Sequence, residues 1–358
     1  MRIGIHTQPL TTNYGGILQN YALQTVLRRM GHDVWTFDIV KYTWVDWGIA
    51  VFKTIIKRLL GRKEPFPMSP HKRKNRQRPL RTFVYKYINL TTKVKRINKG
   101  LIDKYSLDVL LVGSDQVWRP IYNPHIEDMF FGFAKEINII KIAYAASFGT
   151  DQWEFSPLQT KACAELAKHF KAISVREDTG VELCREQLGA QATHVLDPTL
   201  LLMPTDYNEL CKDIPKCQPF VFAYILDMDE HKINEIKAFA EVKSLPYFIK
   251  SAGPDLEASD SIELWLSYFR DAAYIITDSF HGTAFSINYN KEFFVFANEK
   301  RGNSRFDSLL NLLNLQHRVV KTVTTEMSCI DWKNINQLLD CERSKCYEWL
   351  ERSLSGLM

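Results

Sequence analysis

Paired cysteines are missing from this chain: the seven present are scattered, odd in number and without a CxxC pair. A disulfide framework is not expected, and a zinc ion has no ligand spacing to occupy. No run of about 18 uninterrupted apolar residues occurs, so no helix is expected to cross a membrane. The opening MRIGIHTQ reads as a strand and not as a charged leader with an apolar stretch. No signal peptide is therefore expected, and a cytoplasmic location is. Acidic residues are scarce in one region. Between Lys53 and Lys104 only Glu64 and Asp103 oppose a dense run of lysines and arginines, which peaks in HKRKNRQRPLR at 71–81. That run lacks regularly interleaved aromatics and any recognised nucleic-acid motif, which weighs against a nucleic-acid partner. Three readings remain for it: a solvated insertion, a clamp on an anionic substrate, or a patch held at the anionic inner face of a membrane.

Just upstream, WVDWGIAVFKTIIKRLL (44–60) sets Ile49, Phe52, Ile56 and Leu59 at helical spacing, with Lys53 and Lys57 on another face and two tryptophans near the start. The pattern predicts a helix whose apolar stripe either packs into the core or lies in a membrane interface.

The remainder is an ordinary globular composition, 46% hydrophobic and 24% charged over 358 residues, with room for two separate cores. Strand patterns near 3–6, 34–40, 106–112, 141–149 and 172–177 interleave with helical ones near 17–30, 158–170 and 178–188. SLDVLLVGSDQVW reads as strand, turn and helix. The series then restarts, with strands near 219–226, 246–250, 273–278 and 292–297, helices between them, and a helical segment at 332–354 closing the fold. Two successive βα series predict two Rossmann-like doubly wound domains facing a cleft: 1–203, with a basic insertion at about 41–104, and 204–358.

Ligands in such folds lie beyond the carboxyl ends of the strands, so the strand-end turns are where chemistry is sought. YIITDSFHGTAFS (274–286) runs from strand through a polar turn into a helix and holds Asp278, Ser279, His281 and Gly282. Histidine titrates nearest neutral pH and is the natural acid–base group. Asp278 is placed to orient it or to take a proton itself. Asn13, Tyr14, Gly15, Gly16 and Gln19 open the first long helix, where two glycines permit close approach of an anion to free backbone N–H groups. Ser114 and Asp115 follow a strand in GSDQVWRP, with Trp118 beyond, and Asp115 is a second candidate base. Arg176 ends the strand SVRE with a planar fork suited to carboxylate or phosphate. RGNSRFDSLL (301–310) adds a glycine turn, Ser304 and Arg305 before a helix. Asp227-Met228-Asp229 reads as helix capping and not as a metal site.

Taken in order, NYGGILQNYALQ, GSDQVW, ISVRED, LDPTLLL, TDSFHGTAFS and GNSR resemble the polysaccharide pyruvyl transferase family. The resemblance implies a fold similar to two-domain GT-B glycosyltransferases. It also implies transfer of the pyruvyl carbons of phosphoenolpyruvate onto two hydroxyls of a sugar, lipid-linked or not, in polysaccharide biosynthesis, with no cofactor or metal. Arg176 resembles the family's mid-chain arginine and His281 its catalytic histidine. Many members read Arg-Leu-His-Gly where this chain reads Ser279-Phe280-His281-Gly282, the mark of a separate branch. Arg305 or Lys250 is expected to supply the charge missing at position 279. The rival readings are a nucleotide-sugar glycosyltransferase on the same architecture and a non-catalytic glycan-binding scaffold at the membrane.

Overall fold

The computed structural model describes residues 1–40, 44–62, 64–251, 260–297, 304–324 and 328–355. Short apolar runs form strands β1 (Arg2–His6), β2 (Asp33–Thr36), β3 (Val109–Val112), β4 (Ile140–Ala146), β5 (Ala172–Val175) and β6 (Thr193–His194). A second group comprises β7 (Val221–Tyr224), β8 (Tyr247–Lys250), β9 (Tyr274–Thr277), β10 (Glu292–Phe296) and β11 (Val319–Val320). The helices are α1 (Tyr14–Arg29), α2 (Trp44–Leu59), α3 (Pro70–Tyr87), α4 (Lys99–Tyr105), α5 (Pro157–Ala167) and α6 (Asp178–Leu183). They continue as α7 (Pro204–Leu210), α8 (Glu230–Val242), α9 (Ile262–Asp271), α10 (Phe280–Asn288), α11 (Ser304–Leu312) and α12 (Trp332–Leu354).

The strands make two parallel sheets, in the orders β2-β1-β3-β4-β5-β6 and β11-β10-β9-β7-β8. Runs such as VLLV in β3 and VFAY in β7 are wholly buried, as sheets covered on both faces require. The strand order reverses between β1 and β3 and between β7 and β9, which opens a crevice at the carboxyl end of each sheet. Helix α12 returns to the first domain: Trp349 packs on Tyr144 with ring centroids 5.8 Å apart, and Tyr347 Oη donates to Leu201 O.

One local expectation needs revision, and two readings left open by the sequence are narrowed. No helix follows GSDQVW, because Asp115 takes a left-handed φ of 81° and Trp118 N donates to Ser147 O in the first sheet. The basic run at 71–81 is not loose chain but part of α3, capped by Ser69 and anchored through buried Leu80, Phe83 and Val84. Helix α2 forms, yet its apolar stripe is not in the core. Thr54 is its one buried residue, while Ile49, Phe52, Ile56 and Leu59 are exposed.

Candidate active site

The site grows from the start of α1. Its N-cap residue Asn13 makes no capping bond, and its amide instead donates to Asp115 Oδ2 (3.2 Å). That leaves the first amides of α1 without a side-chain cap, at the positive end of the helix. Two glycines let functional groups come up against this turn. A Cβ on Gly16 would stand 2.8 Å from Asp115 Oδ2, and one on Gly15 would fall 1.9 Å from His281 Nδ1. One domain thus presents a helix end that the other domain's histidine touches.

Beneath this turn lies a buried ionic cluster. Arg176 Nη1 donates to Asp197 Oδ2 (2.7 Å) and to Ser114 Oγ (3.1 Å), and Ser114 Oγ donates to the same carboxylate oxygen (2.8 Å). Asp115 Oδ1 lies 3.9 Å from Arg176 Nη2, and Glu177 Oε1 3.5 Å from Nε. Neither Nε nor Nη2 has a hydrogen-bond partner among the described residues, so two donors of a fully buried guanidinium are open. His281 Nε2 faces Asp197 Oδ2 at 3.8 Å, an ion-pair distance too long for a hydrogen bond, and is likewise without a partner among them. Burial lowers the imidazole to about 4, outweighing the opposite pull of Asp197, so it is neutral at pH 7. Burial would raise Asp197, but His281, Arg176 and hydrogen bonds from Thr199 hold it at about 2. Glu177, bonded by Ser147, is raised by burial.

The second domain adds Arg305, at the start of α11. Its guanidinium and that of Arg176 both lie over the Phe280 ring, 5.9 and 4.7 Å from its centre. Burial, and then repulsion from Arg176, lower Arg305 to about 10. The Ser304 hydroxyl beside it has no hydrogen-bond partner among the described residues. The glycine turn expected at 301–303 lies outside the described residues.

Several expected site residues serve the scaffold. Asp278 accepts from Leu226 N (2.5 Å), Asp227 N (3.0 Å) and Lys232 Nζ (2.8 Å), so it ties the second sheet's strand ends together. Among the described residues the carboxylate in ion-pair range of His281 is Asp197 instead. Ser279 caps α10 by accepting from Gly282 N, and Gly282 is glycine because a Cβ there would stand 2.2 Å from Thr277 Oγ1. Tyr14 bridges the domains, stacked on Trp265 with its hydroxyl donating to Asp260 O. Gln19 bonds Thr7 and Gly16 O inside the first domain. Trp118 is fully buried, stacked on Phe130, and does not line the cleft because its indole fills the core. Lys250 pairs with Asp260 (2.9 Å) at the end of an edge strand. Asp229 accepts from Lys232 N as the N-cap of α8.

A cleft of about 1170 Å³ runs out from Asn13, Gly16 and Asp115 along α3, where Arg73, Lys74, Arg78 and Lys93 line it. The residues missed from sequence are Asp197 and Glu177; the basic wall belongs to the run between Lys53 and Lys104, for which a clamp on an anionic substrate is one of the three readings. The two acids sit inside LDPTLLL and SVRE, beside groups already singled out. Nothing in the pattern of 71–81 says which side of the molecule the helix covers.

Two parallel-sheet α/β domains whose strand ends and helix starts converge on one buried ionic cluster define a two-domain, doubly wound α/β protein with a shared candidate site. A family model described as polysaccharide pyruvyl transferase matches residues 13–300. The chain belongs to that family, and the membership makes it a transferase enzyme. No curated protein matches the sequence. Among solved structures the chain is similar to UDP-GlcNAc 2-epimerase from Neisseria meningitidis, at 9% identity over 99% of this chain and 94% of that one, TM-score 0.49. The enzyme of the same name from Methanocaldococcus jannaschii gives 10% identity over 95% and 92%, TM-score 0.47. Spinosyn forosaminyltransferase SpnP gives 12% over 99% and 96%, TM-score 0.40. The two sheets themselves, and not these distant likenesses, establish the fold class.

Proposed function

We propose that this enzyme moves the pyruvyl group of phosphoenolpyruvate onto two hydroxyls of one sugar, forming a ketal and releasing phosphate. The observation that carries the reading is the convergence, at the start of α1, of a neutral histidine and two buried guanidiniums, of which Arg176 keeps Nε and Nη2 without a hydrogen-bond partner among the described residues. The donor brings a carboxylate and a phosphate, which call for cationic or helix-terminal partners. Arg305, Ser304 and the first amides of α1 take these groups, and Arg176 offers Nε and Nη2 from beneath. Arg305 thereby supplies the charge that Ser279 does not.

The first sugar hydroxyl adds to C2 of the donor while a proton goes to its methylene carbon. The C2–O bond then breaks with its electron pair leaving on phosphate, and the second hydroxyl closes the ring at C2. Of the two hydroxyl protons, one ends on the new methyl group and the other on phosphate. His281 begins neutral, as a base must, takes a hydroxyl proton, and as an imidazolium facing Asp197 can return it to carbon. Asp115, which lines the cleft, takes the proton of the second hydroxyl. The scheme calls for no metal or cofactor.

A thermal-shift titration tests the donor. A ligand bound only by the folded state stabilises it by about 2.7 kcal/mol at a hundredfold excess over Kd. We expect a saturable rise with phosphoenolpyruvate that Arg305→Ala abolishes. A rise with nucleotide sugars alone would move the reading to glycosyl transfer.

A further inference from the structure

Helix α2 wears its apolar face on the outside. At about 100° per residue Trp44, Val45, Ile49, Phe52, Ile56 and Leu59 share one side. All six are exposed, Leu59 at 82% and Val45 at 67%. The other side rests on the protein: Thr54 is buried and Trp47 Nε1 donates to Pro67 O (3.1 Å). A helix left to the hydrophobic effect turns the opposite way, and monomers rarely leave so large a contiguous apolar surface in water. Other exposed large apolar side chains, such as Ile121 and Leu158, are scattered.

The border of this face is positive. Lys53 stands exposed at its edge, and Arg62 follows the helix. Lys57 is paired with Glu64 and Arg58 stacks on Phe66. Exposed Lys72, Lys74 and Arg78 then continue the positive surface along α3. Two copies meeting α2 to α2 would bring these cations together, whereas an anionic lipid surface complements them. Trp44, at the helix start, is the residue type that favours the headgroup boundary.

We propose that α2 docks in the plane of an anionic bilayer leaflet, its apolar face at the boundary between headgroups and acyl chains and its flanking cations on lipid phosphates. Docking sets the cleft along α3 beside the leaflet, within reach of an acceptor anchored there by a lipid. Among the described residues no helix is long and apolar enough to cross a membrane, so the contact is peripheral. The inference does not depend on the pyruvyl chemistry and is read without it.

The test is co-sedimentation of the full chain with phosphatidylglycerol-containing vesicles and with pure phosphatidylcholine vesicles. The wild type is expected on the anionic vesicles. The double variant Phe52→Glu, Leu59→Glu should lose about tenfold or more of that binding with its thermal midpoint unchanged. Lys53→Glu should lose several-fold, since each basic residue near such a surface is worth roughly fivefold, and added salt should mimic it. His281→Ala should sediment as the wild type does. Equal binding to neutral vesicles, no binding at all, or binding indifferent to the double variant would overturn the proposal. So would a dimer, seen by light scattering, that the double variant dissolves while vesicles are ignored.

Discussion

The strand ends of the two sheets are built from the same residue types and do opposite things. In the second sheet the polar groups are spent on the chain itself: Asp278 takes two backbone amides and Lys232, Thr277 Oγ1 donates to Tyr224 O, and Ser279 caps α10. In the first sheet Arg176 ends β5 with two donors open, Glu177 Oε2 is buried without a partner among the described residues, and Asp115 holds a left-handed backbone. Among the described residues the second domain reaches that cluster through helix starts, with His281 and Arg305. Buried polar groups normally satisfy one another, so unmade bonds mark chemistry better than the mere presence of acids and histidines.

The sharpest way to break this contrast is His281→Ala. A positioned acid–base group contributes ~10²–10⁴-fold, so turnover should fall by that factor in a variant that still folds. A loss below tenfold in phosphate release from phosphoenolpyruvate and acceptor would remove His281 from the reaction. Next come the two buried aspartates. Asp278→Asn breaks a buried pair and faces an amide against two backbone N–H groups, and should cost about 3–5 kcal/mol in denaturant unfolding. Asp197→Asn also breaks a buried pair and should cost a similar amount, but it alone should show in the turnover of the folded enzyme and in its pH profile, because the imidazolium loses its counter-charge. If folded Asp278→Asn lost turnover and folded Asp197→Asn kept it, the division of labour between the sheets would be wrong.

Acid titration separates the sheets by pH. With its folded value near 4 against 6.5 in the unfolded chain, His281 binds a proton first in the unfolded state. Stability should therefore drop as pH falls from about 6.5 to 4, by about 3 kcal/mol in all, and this part should be flat below 4. Asp197, held near 2, adds its own loss below about pH 4. His281→Gln should flatten the upper window only, measured by urea midpoints across pH.

Much of the architecture is legible in sequence because VLLV, YIIT and EFFVF are the doubly buried strands of parallel sheets, and Gly31 does end the region of the first helix. The turn after β3 is not, since an aspartate at φ 81° breaks the helix that its neighbours favour. Asp197 is not legible because LDPTLLL shows no local pattern that marks its carboxylate, and the fold alone brings that stretch within reach of His281. The same limit applies to α2 and α9. Both are amphipathic on paper, but α9 buries Ile262, Trp265, Leu266 and Phe269 while α2 turns its stripe outward. Periodicity locates a face and leaves open what covers it.

Lys250 supplies the smallest effect and a clean discriminator. It ends β8 on the edge of the second sheet, is 39% exposed, and already pairs with Asp260. Exposed pairs of this kind are worth about 0–1 kcal/mol, so Lys250→Ala should barely move the unfolding midpoint. If the donor's charge is met by Arg305 at the first sheet's cluster, the variant should also keep its thermal shift with phosphoenolpyruvate. A shift lost in Lys250→Ala but kept in Arg305→Ala would place the donor at the second sheet's edge. The neutral His281 would then face an acceptor alone, and the open donors of Arg176 would need another ligand.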